Sequence, residues 1–524
     1  MDHHHAAVLG GFVYAQAPVE AMKHLANKHV LVLGLGSSGL ALARWCVRAG
    51  AQVTVADTRP APPQLQALQT SVPEAKFVQA EMNESLLADT SFNLVLKSPG
   101  LSPASVARVI TAAEAVGIAH GNELSLFAQA LADLKADTHY TPQVIAITGT
   151  NGKTTVTSLT GQLVQRAGKT VAVAGNIGPT LLDTLTEKLD AAALGEALPG
   201  VWVLELSSFQ LDGIKNFEPT VATVLNITQD HLDWHETLAA YRAAKANVYG
   251  TTSIMLLNRH DPLLMAALPP LVKGRQLRSN FSFGSDAPAR PGDYGIETVN
   301  GMAWLVRALE ADETFKRRKD DEVALHIQRL MPLDALRIRG RHNATNALAA
   351  LGLAVAAGCS LAAMLHGLRD YPGEPHRMES VGVVADVEYF DDSKGTNVGA
   401  TVAALAGLGA ERPLVLILGG EGKGQDFSPL AEPVARYARA VVLIGRDAPL
   451  IRAALASTSA PVTLMDAASM PEAVQLAQQH AKAGDAVLMS PACASFDMFD
   501  NYEHRAHVFC EAVQALAHEE GVVL

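Results

Sequence analysis

The sequence is poor in the residues that staple or anchor a chain. Its four cysteines, Cys46, Cys359, Cys493 and Cys510, lie far apart without a CxxC pair, which argues against a disulfide framework and against a cysteine-based metal site. They read as small apolar side chains with free thiols, in keeping with a reducing cytosol. No apolar run approaches the roughly 18 residues that a bilayer-spanning helix needs; residues 347–357 come nearest. No Lys or Arg precedes the mildly apolar residues 6–17, as a signal peptide requires. An excess of basic residues is missing too: 41 Lys plus Arg against 53 Asp plus Glu leave a net charge of −12, which argues against a protein that coats nucleic acid. The expectation is a cytoplasmic protein with no membrane and no nucleic-acid partner, while one anionic small molecule in a local basic pocket stays open. The His3-His4-His5 run is read as a frayed end or a remnant of an added tag.

Apolar substance is plentiful. Hydrophobic residues make up 49% and charged residues 18%, enough for several packed cores and incompatible with global disorder. At roughly 100–200 residues per domain, 524 residues predict about three domains. HVLVLGL at residues 29–35, the glycines Gly34, Gly36 and Gly39, and an apolar-periodic stretch ending at Gly50 spell strand, tight turn and helix. QVTVAD, ending at Asp57, then NLVLKSPG and GIAH continue the alternation and predict a parallel, Rossmann-like sheet. Helix-like NELSLFAQALADL leads to a fresh strand, VIAIT, and TVAVAG, VWVLEL, TVATVLNI and SIMLLN follow. These carry polar residues at their C-terminal ends, where open α/β sheets bind ligands. Residues 307–322, of which 11 of 16 are charged with mixed sign, read as a solvated insertion. NATNALAALGLAVAAG opens a third unit with strands VEYFDD, LVLILGG, AVVLIG and AVLMSP. The expected fold is three α/β domains: Rossmann-like over 1–121, a P-loop-type ATP-binding sheet over 122–340, and Rossmann-like again over 341–524.

The sharpest chemical signal is IAITGTNGKTT at residues 145–155. Backbone N–H groups of such a turn and the positive end of the following helix hold phosphate oxygens, the lysine neutralises charge, and a threonine hydroxyl can ligate Mg²⁺. Gly149, Thr150, Asn151, Gly152, Lys153, Thr154 and Thr155 are therefore the ATP-binding loop, although two residues separate its glycines instead of four. Glu205 in VWVLELSSFQL, and Asp230, His231 and Asp233 in LNITQDHLDWH, follow strands of the same sheet and are expected to converge on that loop. A carboxylate and an imidazole there suit a hard cation on ATP oxygens. Taken singly, Glu205 reads as a cap or surface acid and His231 as a core histidine. GLGSSG at residues 34–39 with Asp57 some twenty residues on also satisfies the dinucleotide fingerprint. A nicotinamide-dependent dehydrogenase is thus a second reading, which leaves GTNGKTT unexplained, and a nucleotide-binding scaffold without catalysis is a third.

GTNGKTT, ELSSFQL, NITQDHLDWH, YRAAKANVY, GRHNATNAL, DDSKGTN, GGEGKGQDFSPL and SPACASFDMFDNYEHR resemble, in this order, the motifs of the Mur ligases, and among them those of the members that add D-glutamate. The resemblance runs from about Gly34 to the end, and the DNPR signature of the diaminopimelate- or lysine-adding members is absent. It implies a monomeric ligase using ATP and Mg²⁺, in which the carboxylate of UDP-MurNAc-L-alanine becomes an acyl phosphate that the amine of D-glutamate displaces. Another member adding a different amino acid is the alternative within the family. By motif, the resemblance implies catalytic roles for Lys153, Glu205, His231, Lys245 and Lys394. Lys153 would contact the β/γ-phosphates, and Thr154, Glu205 and His231 would serve Mg²⁺. Lys245 matches the family lysine that is carbamylated to face that ion. Arg341, His342, Asn343, Asn346 and Asp392 would lie on the ATP side. Lys394, Thr396, Lys423, Ser495, Phe496 and Tyr502, the last a tyrosine where phenylalanine is usual, would receive D-glutamate. Ser37, Ser38, Thr58, Arg59, Ser98 and Gly100, with Asn176 and His231, would hold the UDP substrate. A hinge near residues 339–343 is expected to move on binding. Without the resemblance, Lys245, Lys394 and Lys423 would read as solvent lysines and Asn343 as a helix cap.

Overall fold

Three sheets organise the chain, and each grows from the alternation of short β-rich runs with helices. The computed structural model describes residues 24–311, 314, 324–456 and 462–524; the His3-His4-His5 run and most of the charged stretch, residues 312–313 and 315–322, lie outside them. The first sheet contains β1 (His29–Leu33), β2 (Gln52–Asp57), β3 (Lys76–Gln79), β4 (Leu94–Lys97) and β5 (Ala119–Gly121). Its order is β3-β2-β1-β4-β5 and every pairing is parallel. Strand order reverses between β1 and β4, which puts the Gly34 turn and Ser98 at the crevice where such sheets take ligands.

The second sheet contains β6 (Gln143–Thr148), β7 (Val171–Gly175), β8 (Val201–Glu205), β9 (Val221–Val224), β10 (Ile254–Asn258), β11 (Asn280–Phe283), β12 (Tyr294–Val299), β13 (Met302–Glu310) and β14 (Leu325–Pro332). The order is β14-β13-β12-β11-β10-β9-β6-β8-β7. The last three strands pair antiparallel and extend the sheet beyond what sequence periodicity predicted. Asn300 and Gly301, both at positive φ, turn β12 into β13 as an Asn-Gly hairpin does. Arg307 to Glu310 therefore belong to a strand, and the charged insertion starts later than expected.

The third sheet contains β15 (Glu379–Val384), β16 (Val387–Asp391), β17 (Leu414–Gly419), β18 (Ala438–Ile444), β19 (Thr463–Asp466) and β20 (Ala486–Met489), in the order β15-β16-β20-β17-β18-β19. Only β15 runs antiparallel to its neighbour. Leu414, Leu416 and Leu418 of β17 enter the core on one face, and Val415 and Ile417 enter the core on the other. Burial on both faces explains why this strand reads as an unbroken apolar run. The apolar run at 347–357 has a similar cause: the helix Arg341–Ala356 is buried nearly all round and packs on the helix Lys153–Arg166. No helix among the described residues is long and apolar enough to cross a membrane.

Contacts between Cα atoms gather the chain into two compact units, one of residues up to Ile145 with Lys169–Pro219, the other of Ala146–Gly168 with Thr220–Leu524. Each is taken by itself below.

Candidate functional site

In the larger unit, the phosphate loop leaves β6 and enters the helix Lys153–Arg166, whose N-cap, Gly152, supplies no side-chain cap. The first-turn N–H groups thus donate to no N-cap side chain, as a helix start suited to an anion requires. Both glycines are required. Gly149 sits at φ +150°, and a Cβ there would stand 3.0 Å from Leu225 Cβ; one on Gly152, at φ +83°, would stand 2.8 Å from Asn346 Oδ1. The loop is stitched to the segment after β9. Thr150 N donates to Asn226 O at 3.0 Å, Asn151 N donates to Asn226 Oδ1 at 2.8 Å, and Asn226 Nδ2 donates back to Asn151 O at 3.0 Å. Thr150 Oγ1 accepts from Thr228 N and meets the Tyr241 hydroxyl, each at 3.0 Å. Lys153 Nζ lies along the loop, donating to Gly149 O at 2.8 Å and Thr150 O at 3.0 Å.

Beside the loop a cavity of about 220 Å³ is bordered by Asn151, Gly152 and Thr155 and by His342, Asn343, Asn346 and Asp392, seven residues singled out from sequence. Asn226, Phe283 and Arg377 also border it; no motif chemistry pointed to them, although Asn226 and Arg377 lie beside residues that were singled out. Arg341 is exposed and donates to Ser285 O at 3.0 Å, away from the cavity lining. Asn343 is the third residue of its helix, not its cap, since Gly340 holds that position; its Nδ2 donates to Arg339 O at 2.8 Å. Burial, then the charge of Arg377, holds His342 down at about 4, so the ring is neutral near pH 7. Burial pushes Asp392 up to about 7, against hydrogen bonds from Ser490 and Met378 N and the charge of Arg377.

The basic groups converge on the same loop. Lys245 is buried; its Nζ donates to Thr148 Oγ1 at 3.1 Å and Gly149 O at 2.9 Å and stands 4.9 Å from the Tyr241 ring centre. Burial lowers the pKa of His231, Asp230 opposes this, and Lys153, Lys423 and Lys245 add to the lowering. Asp233 is exposed. Lys394, three residues after β16, donates to Thr154 Oγ1 at 3.1 Å and lies 5.8 Å from the Tyr502 ring centre. Thr396 N donates to Lys394 O at 3.0 Å, and Ser495 is buried. Lys423 is exposed at φ +52°, and Phe496 is 65% exposed. Arg505 was passed over in the sequence although it ends a quoted motif. It is fully buried, and its guanidinium donates to Ser393 Oγ, Cys493 O and Ser393 O at 2.9, 2.9 and 2.6 Å.

The smaller unit carries the remaining candidates. Gly34 turns at φ +88°, and a Cβ on Gly39 would lie 2.0 Å from Gly34 O, so turn and helix touch backbone to backbone. Ser37 and Ser38 open the helix Ser37–Arg48, and Ser98 Oγ donates to Gly34 O at 3.0 Å. Thr58 and Gly100 are exposed beside this turn. Asp57 is fully engaged: Oδ1 accepts from Arg59 N and Nε at 2.9 Å each, and Oδ2 accepts from Leu35 N at 2.9 Å and Arg59 Nη2 at 2.8 Å. The Arg59 guanidinium holds this carboxyl down at about 2. The carboxylate that would read ribose hydroxyls in a dinucleotide fold is thus engaged by Arg59, which counts against the dehydrogenase reading. Asn176 Nδ2 donates to Glu205 Oε1 at 3.1 Å, and the buried Oε2 of Glu205 has no hydrogen-bond partner among the described residues.

Comparison with known proteins matches three family domains in sequence order. These are the Mur ligase MurD-like N-terminal domain over residues 28–120, the Mur ligase middle domain over 147–354 and the Mur ligase, glutamate ligase domain over 376–493. The chain is 66% identical to the UDP-N-acetylmuramoylalanine–D-glutamate ligase of Albidiferax ferrireducens, over 95% of this chain and 98% of the relative. It is 60% identical to the protein of the same name from Polaromonas sp., over 96% and 100%. In fold it is similar to the MurF ligase of Thermotoga maritima in complex with ADP, with a TM-score of 0.56 at 15% identity over 95% of this chain and 97% of that one. It is likewise similar to the UDP-N-acetylmuramate-alanine ligase MurC of the same organism, with a TM-score of 0.52 at 17% identity over 93% and 100%. The chain belongs to the Mur ligase family, in its D-glutamate ligase branch.

Proposed function

We propose that the protein joins D-glutamate to UDP-N-acetylmuramoyl-L-alanine at the expense of ATP. The observation that carries this reading is the 3.1 Å contact between Lys394 Nζ and Thr154 Oγ1. It sets a lysine of the amino-acid loop against the hydroxyl of the phosphate loop, so activation and amine delivery share one place. A carboxylate oxygen of the L-alanyl end attacks the γ-phosphorus, the bond to the bridging oxygen of ADP breaks, and an acyl phosphate forms. The amine of D-glutamate then attacks the acyl carbon, loses a proton, and inorganic phosphate departs with the electron pair of its C–O bond. A free carboxylate is a poor acyl donor at neutral pH, and phosphorylation supplies the leaving group.

The phosphate-loop N–H groups and Lys153 hold and neutralise the β- and γ-phosphates, and His342, Asn343, Asn346 and Asp392 border the nucleotide. Lys394, Thr396, Lys423 and Ser495, with Phe496 and Tyr502 alongside, receive the two carboxylates of D-glutamate. Ser37, Ser38, Thr58, Arg59, Ser98, Gly100 and Asn176 take the UDP substrate. By family motif, Thr154, Glu205, His231 and Lys245, the last as its carbamate, would hold magnesium, and carboxylate and hydroxyl oxygens are the hard ligands that such an ion takes. When bound, the ion would screen the negative charge that opposes attack on the γ-phosphate. We read the enzyme as a cytoplasmic monomer with domains at 1–121, 122–340 and 341–524.

The test is phosphate release with ATP, Mg²⁺ and UDP-N-acetylmuramoyl-L-alanine across a panel of amino acids. Release that depends on D-glutamate is expected; release with another amino acid alone would reassign the specificity, and none at all would remove the ligase reading.

A further inference from the structure

The loops that carry Lys394 and Lys423 meet the phosphate-loop side of the central sheet through side-chain amides, and one of these amides uses every hydrogen bond it can make. Asn397 is 3% exposed. Its Nδ2 donates to Asn151 Oδ1 at 3.0 Å and to Asp230 Oδ2 at 3.3 Å. Its Oδ1 accepts from Asn151 Nδ2 at 3.2 Å and from Ala400 N at 2.9 Å. Two donors and two lone pairs are all that an amide offers, and all four are used. Three of the four reach the phosphate loop or the residue before His231, while the fourth caps the helix Val398–Gly409. Two residues on, Gly399 has no room for a side chain: a Cβ there would lie 2.6 Å from Thr228 Oγ1. A second amide holds the other loop with one donated and one accepted bond. Gln229 Nε2 donates to Asp426 O at 2.9 Å, and Gln229 Oε1 accepts from Asp426 N at 3.2 Å.

We propose that Asn397 and Gln229 are positioning residues, a pair of amide latches that set the register of the Lys394 and Lys423 loops over the phosphate loop and so aim the incoming amine. The proposal rests on the ligase reading above. Neither residue touches substrate in this scheme; each acts through the loop it holds. An unmade amide bond at a buried position disfavours the docked arrangement, and the effect appears where docking matters, in the second half-reaction.

Asn397→Asp separates latch from cap. Aspartate caps a helix as well as asparagine does, and its oxygens still accept from Ala400 N and Asn151 Nδ2. Both donations are lost, however, and a carboxylate then faces Asp230. The latch requires kcat/KM for D-glutamate to fall roughly 10–100-fold, while the melting temperature stays within a few degrees and ADP affinity within about threefold. Adding Asp230→Asn exchanges amide and carboxylate across the same contact, and recovery of about tenfold in the double variant supports the pair. Gln229→Ala is expected to raise KM for D-glutamate with little change in that for ATP. Asn397→Asp within twofold of the parent, or an activity loss matched by a collapse in melting temperature, overturns the proposal. The parent assay keeps the two readings apart: no D-glutamate-dependent turnover in the parent is a failure of the ligase reading, whereas a parent-like variant is a failure of the latch.

Discussion

Glu123 is a buried carboxyl at the start of the helix Glu123–Thr138, and it accepts from Leu182 N at 3.0 Å. Burial pushes it up to about 7, Asp183 adds to this, and the bonds from Leu182, Ser38 and Leu181 oppose it. With a folded-state pKa above the unfolded one, the native state binds this proton more tightly. Its contribution is therefore whole below about pH 4.5 and is lost as pH rises through 7. Ionised, the group withholds on the order of 3 kcal/mol. Glu123→Gln is accordingly expected to melt above the parent at pH 8, with the gain shrinking toward pH 5; urea titrations at both pH values read this directly. Arg505 gives the opposite expectation. Arg505→Met leaves the carbonyls of Ser393 and Cys493 without their donor, and a loss of about 3 kcal/mol or more in unfolding free energy is expected. Lys153→Ala is expected to lower kcat at least about 100-fold, since it removes charge stabilisation of phosphoryl transfer, while the fold holds by circular dichroism. Lys153 stood out within its loop because phosphate chemistry admits few side chains, whereas Glu205, which singly reads as a cap or surface acid, stood out only in company with that loop. Asn226, Arg377, Asn397 and Arg505 did not, because their roles consist of partners distant in sequence.

At the scale of elements, the glycine turns carry the clearest consequences. Gly39→Ala drives a methyl into Gly34 O, so the turn must open. KM for the UDP substrate is expected to rise about tenfold or more with that for ATP unchanged, since the phosphate loop lies on another sheet. A rise shared equally by both substrates would show that the turn only supports the fold. Apart from β3, strands of the first two sheets up to β10 were legible, most of them because buried parallel strands are written as nearly unbroken apolar runs. β3, β15 and β19 escaped because KFVQ, ESVGVV and TLMD are at best partly apolar and mostly half-exposed. β12 and β13 were legible in principle from their Asn-Gly turn, yet the charged residues at the end of β13 masked the strand.

At the scale of the whole molecule, three sheets were anticipated and three are present, but contact density gathers them into two compact units whose boundary runs within β6. Nucleotide binding is therefore expected to stabilise the unit that holds the phosphate loop. At a hundredfold excess over Kd the gain is about 2.7 kcal/mol, visible by calorimetry as an upward shift of one part of the transition rather than of all of it. The sequence by itself determined the three α/β domains, the phosphate loop and the order of motifs, because each is encoded in contiguous residues whose spacing is its own signal. Only the tertiary structure decided that Arg59 folds back on Asp57, that Arg341 donates to Ser285 O, and that Asn397 closes on Asn151 and Asp230. Arg59 reaches back only two residues, but the other pairings join groups that share no local pattern, and hydrogen-bond geometry selects among them only once packing has brought the backbones together.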